Sequence, residues 1–288
     1  MSDSQASMDA TNDAPESTGV FVAVGQFGPG PNPADNVDAI RELVEAASEN
    51  GAKIIVLPEY SSSFCGALDD WVTTFAEPLT GPFVTAMRAL AAECDIAVIV
   101  GLLEASDDDD DDDVRPFNTV VAINSSGDIM ARYRKVHLFD AYGSRESDWI
   151  QPGDAGEAPE ICELAGITVG LQTCYDLRFP EVTRRLVDAG AELVAIPSEW
   201  VAGPKKAHHW VALIAARAIE NLVFVAAADQ IAPVAVGMSR VISPLGETLI
   251  DMGQTAGIAM AEVFVQAVVD ARLNNPALEL RRYGVSPL

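Results

Sequence analysis

Basic residues are scarce in this chain: 18 lysines and arginines stand against 43 aspartates and glutamates, giving a formal charge of -25 and an isoelectric point near 4.2. Such a surface repels nucleic acid and anionic membranes, so neither is expected as a partner. Lysine occurs at only four positions, Lys53, Lys135, Lys205 and Lys206. An Asp-rich, Lys-poor composition fits a protein of an extremely halophilic organism. Carboxylates keep a surface hydrated in concentrated salt, where self-repulsion is screened over roughly 3 Å at about 1 M. The plainer alternative is an acidic protein without that adaptation. The four cysteines, Cys65, Cys94, Cys162 and Cys174, form no CxxC pair and no metal-ligand spacing, which argues against a disulfide framework or a cysteine metal site. No apolar run reaches the length of a membrane span, and the opening MSDSQASMDATNDAPESTG has neither a basic nor an apolar leader region. The expectation is a cytoplasmic protein. Residues 1–18 should form a disordered acidic tail, lacking the apolar groups that offset ordering entropy, ahead of a folded unit at 19–288.

From Val20 onward short apolar runs alternate with amphipathic stretches. VFVAVGQF, IIVLPEY and IAVIVGLL read as strands, separated by helices near Ala34 to Ser48 and Pro82 to Glu93. The seven aspartates from Asp107 to Asp113 read as a solvated loop, because a block of like charges repels and extends. NTVVAIN and IMARYRKVHLF, joined by a Ser-Ser-Gly-Asp turn, then predict a hairpin. ICEL and ITVGLQT predict another, followed by a helix near Pro180 to Ala189, the strand ELVAIPS, a helix near Ala207 to Asn221 and the strand VFVAAADQ. VAVGMSRVIS, ETLIDM and GIAMAEV complete the set. Runs apolar on both faces, such as IIVL and LVAIP, belong in buried sheets covered by helices. Two mixed sheets packed face to face with helices outside, an α/β fold of αββα layers, would bury them all.

Three segments end an apolar run on a reactive group. Glu59 follows IIVLP, where a charge is costly unless paired or used. Lys135 lies in the strand ARYRKVHLF. Cys174 closes ITVGLQT at a strand-to-helix turn, a geometry that presents a nucleophile together with backbone N–H groups. Singly, each has a plain reading: a surface ion-pair partner, an edge-protecting lysine and a small apolar filler. His137, two residues beyond Lys135, shares its strand face and opens a cysteine-histidine arrangement as a rival, although a strand histidine is more often a hydrogen-bonded core group. His208 and His209 make a weak metal pair, since adjacent residues do not share a helix face.

Taken together, LPEY, YRKVHLFD and CYDLRFPE, in this order and spacing, resemble the nitrilase superfamily of carbon-nitrogen hydrolases. GPKKAHHW, RAIEN and GMSRVISPLGE extend the likeness, which runs from about Val20 to LRRYG near the C-terminus. The resemblance implies a four-layer αββα sandwich and a Glu-Lys-Cys triad at Glu59, Lys135 and Cys174, with no metal or cofactor. It also implies a second glutamate shortly after the HLF segment: Glu146 is the candidate, with Asp140 and Asp148 as competitors. The implied reaction is hydrolysis of a small amide, closest to ω-amide hydrolysis, through a cysteine thioester, with Tyr175 N–H and Lys135 facing the oxyanion. Nitrile or N-carbamoyl hydrolysis would use the same triad, and a noncatalytic binding protein on this scaffold stays open. Arg178 could bind a substrate carboxylate, or pair with Asp176 or Glu181, the commoner use of an arginine fork. Trp200 could line the pocket or belong to the core. The resemblance further suggests a homodimer or higher homo-oligomer, with the segment after Pro276 as a contact element.

Overall fold

The structure is a computed structural model in which residues 19–106 and 113–288 are described. The expected tail and the aspartates from 107 to 112 lie outside the described residues, whereas Asp113 forms an ion pair with Arg115. The chain runs β1 (Val20–Gln26), α1 (Pro33–Glu49), β2 (Ile54–Val56), α2 (Trp71–Thr74), α3 (Pro82–Cys94), β3 (Ala97–Glu104), β4 (Phe117–Ile123) and β5 (Ile129–Arg134). It continues with β6 (Ile161–Leu164), β7 (Ile167–Leu171), α4 (Pro180–Asp188), β8 (Leu193–Ser198), α5 (Lys206–Asn221) and β9 (Phe224–Asp229). β10 (Arg240–Ile242), β11 (Thr248–Asp251), β12 (Gly257–Val263) and α6 (Val265–Asn274) end it.

Two six-stranded sheets form, ordered β12-β1-β2-β3-β4-β5 and β11-β10-β9-β8-β7-β6. Each has three parallel strands at its centre, β1-β2-β3 and β7-β8-β9, with antiparallel strands outside. Both expected hairpins are present, β4-β5 and β6-β7.

The doubly apolar strands follow from the layers. Ile54 and Val56 point into the core between the sheets, while Ile55 points at the outer helices. On β8, Leu193 and Ala195 face the other sheet, while Val194 and Ile196 face α4 and α5. Each fully buried Ile, Leu or Val contributes about 1.5–3 kcal/mol relative to exposure, so these strands are held by burial on both faces. α1 starts where Asn32 Oδ1 accepts from Ala34 N at 3.1 Å with Pro33 in the first turn, and it buries Ile40, Val44 and Ala47 at helical spacing.

The structure departs from the sequence reading in several places. Lys135 and His137 lie just beyond β5 rather than inside it, although Lys135 N still donates to Asn118 O at 2.8 Å. VAVGMSRVIS is not one strand: Gly237 and Met238 take positive φ (66° and 60°), separating an isolated bridge of Ala235 with Val201 from the strand Arg240–Ile242. The sequence leaves open the sheet to which GIAMAEV belongs, and β12 crosses from β10 and β11 to the first sheet, where it pairs with β1. No helix among the described residues is long and apolar enough to cross a membrane.

Candidate active site

Glu59, Lys135, Glu146 and Cys174 line one cavity of about 580 Å³. Each reaches it from the end of a structural element. Glu59 follows β2 by three residues, and the chain turns sharply there, with Tyr60 at φ 55°. Gly101 of β3 permits this approach, because a Cβ at that position would lie 2.6 Å from Glu59 Cα. Cys174 opens a short 3-10 turn, Cys174–Arg178, after β7 and holds φ at 44°. Such a conformation costs a non-glycine residue about 1–3 kcal/mol and persists only when its surroundings enforce it. Here Thr173 and Asp176 form a capping box, and Thr173 Oγ1 donates to Pro197 O at 2.7 Å.

The charged groups form a closed network. Lys135 Nζ donates to Glu59 Oε1 at 2.8 Å and to Glu146 Oε2 and Oε1 at 2.9 and 3.1 Å. Glu59, Lys135 and Glu146 are 1%, 2% and 3% exposed, so this is a buried triad of charges, which persists only with its lone pairs satisfied. They are: Asn118 Nδ2 donates to Glu59 Oε1 at 2.6 Å and to Glu146 Oε1 at 3.0 Å. Tyr60 OH donates to Glu146 Oε1 at 2.7 Å, and Phe139 N to Glu146 Oε2 at 2.6 Å. Glu199 N donates to the remaining oxygen, Glu59 Oε2, at 2.7 Å.

Burial alone would pull the Lys135 ammonium down, but Glu146 and Glu59 lift it well above the usual lysine value, so it stays charged. Burial opposes ionisation of Glu146, yet Lys135 and the donors around it hold its carboxyl below the ordinary range. For the Cys174 thiol, burial and then the Glu59 charge push it well above its usual value, against the pull of Lys135. At rest the sulfur therefore carries its proton, and Sγ donates to Glu199 O at 3.4 Å.

Asp140 and Asp148, the competitors of Glu146, are engaged elsewhere, Asp140 by Ser147 and Asp148 by Arg145. His137 does not serve the thiol: its Nδ1 meets Asp176 Oδ1 at 2.8 Å and its ring stacks on Phe179 at 3.7 Å. Asp176 also accepts from Tyr133 OH at 2.7 Å, joining the Cys174 turn to the segment that carries Lys135. Asp176 is thus occupied, and the pairing of Arg178 with Asp176 or Glu181 is not found. Arg178 lines the cavity, with its guanidinium 4.8 Å from the Trp200 ring centroid, Nη2 3.3 Å from His209 Nδ1, and Nε buried without a partner. Trp200 combines both of its readings: 3% exposed in the core beneath α5, it also lines the cavity. Tyr175, next after the nucleophile, lines it too. Among the described residues no group of three or more His, Cys, Asp or Glu is placed to hold a metal ion.

Sequence reasoning missed four residues of the site. Asn118, the second residue of β4, bridges the two glutamates. Tyr60 was visible in LPEY but carried no polar signal of its own. Lys206, at the start of α5, is 7% exposed, with Nζ 4.3 and 4.5 Å from the ring centroids of Tyr142 and Phe139. Glu199, beside Trp200, also lines the cavity. The scarcity of lysine was the one clue to Lys206.

A thiol, an ammonium and two carboxylates thus meet at one rim of an αββα sandwich. The chain belongs to the carbon-nitrogen hydrolase family, whose model matches residues 21–273. It is 34% identical over 265 residues to the deaminated glutathione amidase of Escherichia coli O157:H7, covering 92% of this chain and 98% of that one. Its fold is similar to that of Nit3 from Saccharomyces cerevisiae, a member of branch 10 of the nitrilase superfamily. The TM-score is 0.81 at 25% identity, covering 92% of this chain and 97% of the other. An amidase of Nesterenkonia AN1 from the same superfamily, solved with one of its cysteines replaced by alanine, gives a TM-score of 0.73 at 25% identity over 92% and 99% of the two chains. The chain is therefore an amidase- or nitrilase-type enzyme that hydrolyses carbon-nitrogen bonds.

Proposed function

We propose that the substrate is a small ω-amide that also carries a carboxylate, and that it is cleaved through a thioester on Cys174. The observation that carries the reading is the meeting of the Cys174 thiol, the Lys135 ammonium and the paired Glu59 and Glu146 carboxylates in one cavity with two cations, Arg178 and Lys206, that lack a carboxylate partner among the described residues.

Glu59 takes the thiol proton as sulfur attacks the amide carbon, because the resting thiol is too weakly acidic to ionise unaided. The carbonyl oxygen becomes an oxyanion, stabilised by Lys135 Nζ and the backbone N–H of Tyr175. The proton held by Glu59 passes to the departing nitrogen, the C–N bond breaks, and ammonia leaves an acyl-thioester. The same carboxylate then draws a proton from water, whose oxygen attacks the thioester and releases the acid and the thiol. Glu146 acts through position: with Asn118 and Tyr60 it fixes Lys135 against Glu59. Arg178 and Lys206 would hold the substrate's carboxylate, with Tyr175 and Trp200 as apolar walls.

The test is ammonia release and mass spectrometry on a panel of amides, nitriles and N-carbamoyl compounds. Carboxylate-bearing amides should release ammonia and leave a transient acyl adduct on Cys174 that is absent from Cys174→Ala. Preferred turnover of nitriles or neutral amides would overturn the substrate assignment. Absence of both adduct and turnover across the panel would favour a binding protein. The Lys-poor acidic composition supports action in the cytoplasm of a salt-adapted cell. Exposed Leu280 and Tyr283, beyond Pro276, support assembly as a homo-oligomer.

A further inference from the structure

The mechanism above uses Glu199 only through its backbone: N–H donates to Glu59 Oε2 at 2.7 Å, and the carbonyl accepts from Cys174 Sγ at 3.4 Å. Its side chain is half-buried and lines the cavity, yet the carboxyl has no hydrogen-bonding or ionic partner among the described residues. Lys135 is committed to Glu59 and Glu146, and neither Arg178 nor Lys206 forms a direct ion pair with Glu199 among the described residues, although the Lys206 charge attracts it at longer range. The cavity therefore holds two cations and one acid that make no direct ion pair with one another, and the acid has no hydrogen-bond donor in contact with it among the described residues.

A half-buried carboxyl with no partner loses part of its hydration with nothing in the protein to replace it, unless a ligand supplies a donor. Burial, followed by repulsion from Glu59, pushes this carboxyl well above the ordinary range, against the pull of Lys135. Glu59 already serves the reacting sulfur, so the chemistry of the thioester asks nothing further of Glu199. A cationic group on the ligand would both satisfy the carboxyl and restore its charge.

Resting on the ω-amide reading, we propose that Glu199 is a specificity-determining residue that binds an ammonium group of the substrate. The preferred substrates would then be ω-amides of α-amino acids, with the carboxylate on Arg178 and Lys206 and the amino group on Glu199. A pocket of this charge pattern complements a zwitterion better than a simple monoanion.

The experiment uses matched pairs that differ only in the amino group: glutamine against glutaramate, and asparagine against succinamate. Affinities are measured by calorimetry on the full chain with Cys174→Ala, so that no ligand is consumed. The amino-bearing member should bind about 10- to 100-fold tighter, the range expected for one charge-assisted hydrogen bond. Glu199→Ala in the same background should bring the members of each pair to within about twofold, and Glu199→Gln, which keeps the shape and removes the charge, should do the same. Because the readout is a ratio between two ligands on one protein, a general loss of folded protein does not imitate it. Equal affinities in the parent, binding of neither member, or a preference that survives both Glu199 variants would overturn the proposal. Ammonia release by the unmodified enzyme is scored separately. Turnover without amino preference leaves the ω-amide reading standing and removes this one. Glu199-dependent preference without turnover does the reverse.

Discussion

Replacing Lys135 by methionine keeps the length of the side chain and removes its charge. Three hydrogen bonds of 2.8 to 3.1 Å to Glu59 and Glu146 are lost, and two carboxylates that are 1% and 3% exposed face each other uncompensated. Removing one partner from a buried ion pair costs about 3–5 kcal/mol, which for a chain of this size lowers the melting temperature by roughly 5–8 °C. Loss of an oxyanion donor should independently reduce kcat about 100- to 1000-fold with little change in KM, since that contact strengthens in the transition state. The two effects separate by pH. In the parent enzyme the Glu146 carboxyl lies below its unfolded value, so its contribution is present above the ordinary carboxylate range and is lost as pH falls through the lower folded value. Without the ammonium, burial is left to push the Glu146 carboxyl upward. Its contribution is then present at low pH and lost as pH rises through the raised value. Lys135→Met should therefore lose least stability near pH 4.5 and most near pH 7.5, as read by thermal unfolding, with single-turnover ammonia release giving the rate. Turnover within tenfold of the parent, or a stability loss that does not grow with pH, would refute the reasoning.

Glu59→Gln should separate the ionisation of the thiol from catalysis. Because the Glu59 charge is one of the causes holding the Cys174 thiol up, the variant should form thiolate at lower pH in a 240 nm titration while losing about 100- to 10,000-fold in turnover. An unmoved titration would remove Glu59 from contact with the sulfur. Dialysis from concentrated salt into dilute buffer should lower the melting temperature and activity together, because a formal charge of -25 is then no longer screened. Unchanged unfolding in both media would dispose of the salt adaptation.

The layers were legible because burial leaves a periodic mark. IIVL and LVAIP are apolar at every position, and the structure uses each on two faces. Helix starts carried by proline, at Pro82 and Pro180, fell where expected because proline both presets φ and tolerates the first turn. By contrast α2, four residues long, and α6 escaped notice. The first is too short for periodicity, and the second follows a strand that changes sheets. At the site, Glu59, Lys135 and Cys174 could be singled out since each sits in or closes an apolar run within a motif, whereas Glu146, in the polar stretch GSRESDW, came only from the family resemblance. Asn118 and Glu199 could not: their importance lies in what stands opposite them after folding, and a polar residue at a strand end has no local signature. Lys135 was placed one element too early because a β-rich stretch continues past the point where pairing stops.

The carboxylate proposed as base and the thiol it would serve come from opposite halves of the sandwich, Glu59 behind β2 and Cys174 behind β7, with Gln230 of the second half holding Glu59 O at 2.9 Å. Their separation is thus a property of how two slabs are stacked, not of any single loop. A methyl group added or deleted deep in the central layer, at Ile99 or Leu193 for example, would alter the gap at the rim, so remote packing variants should betray themselves in kinetics before they do in unfolding.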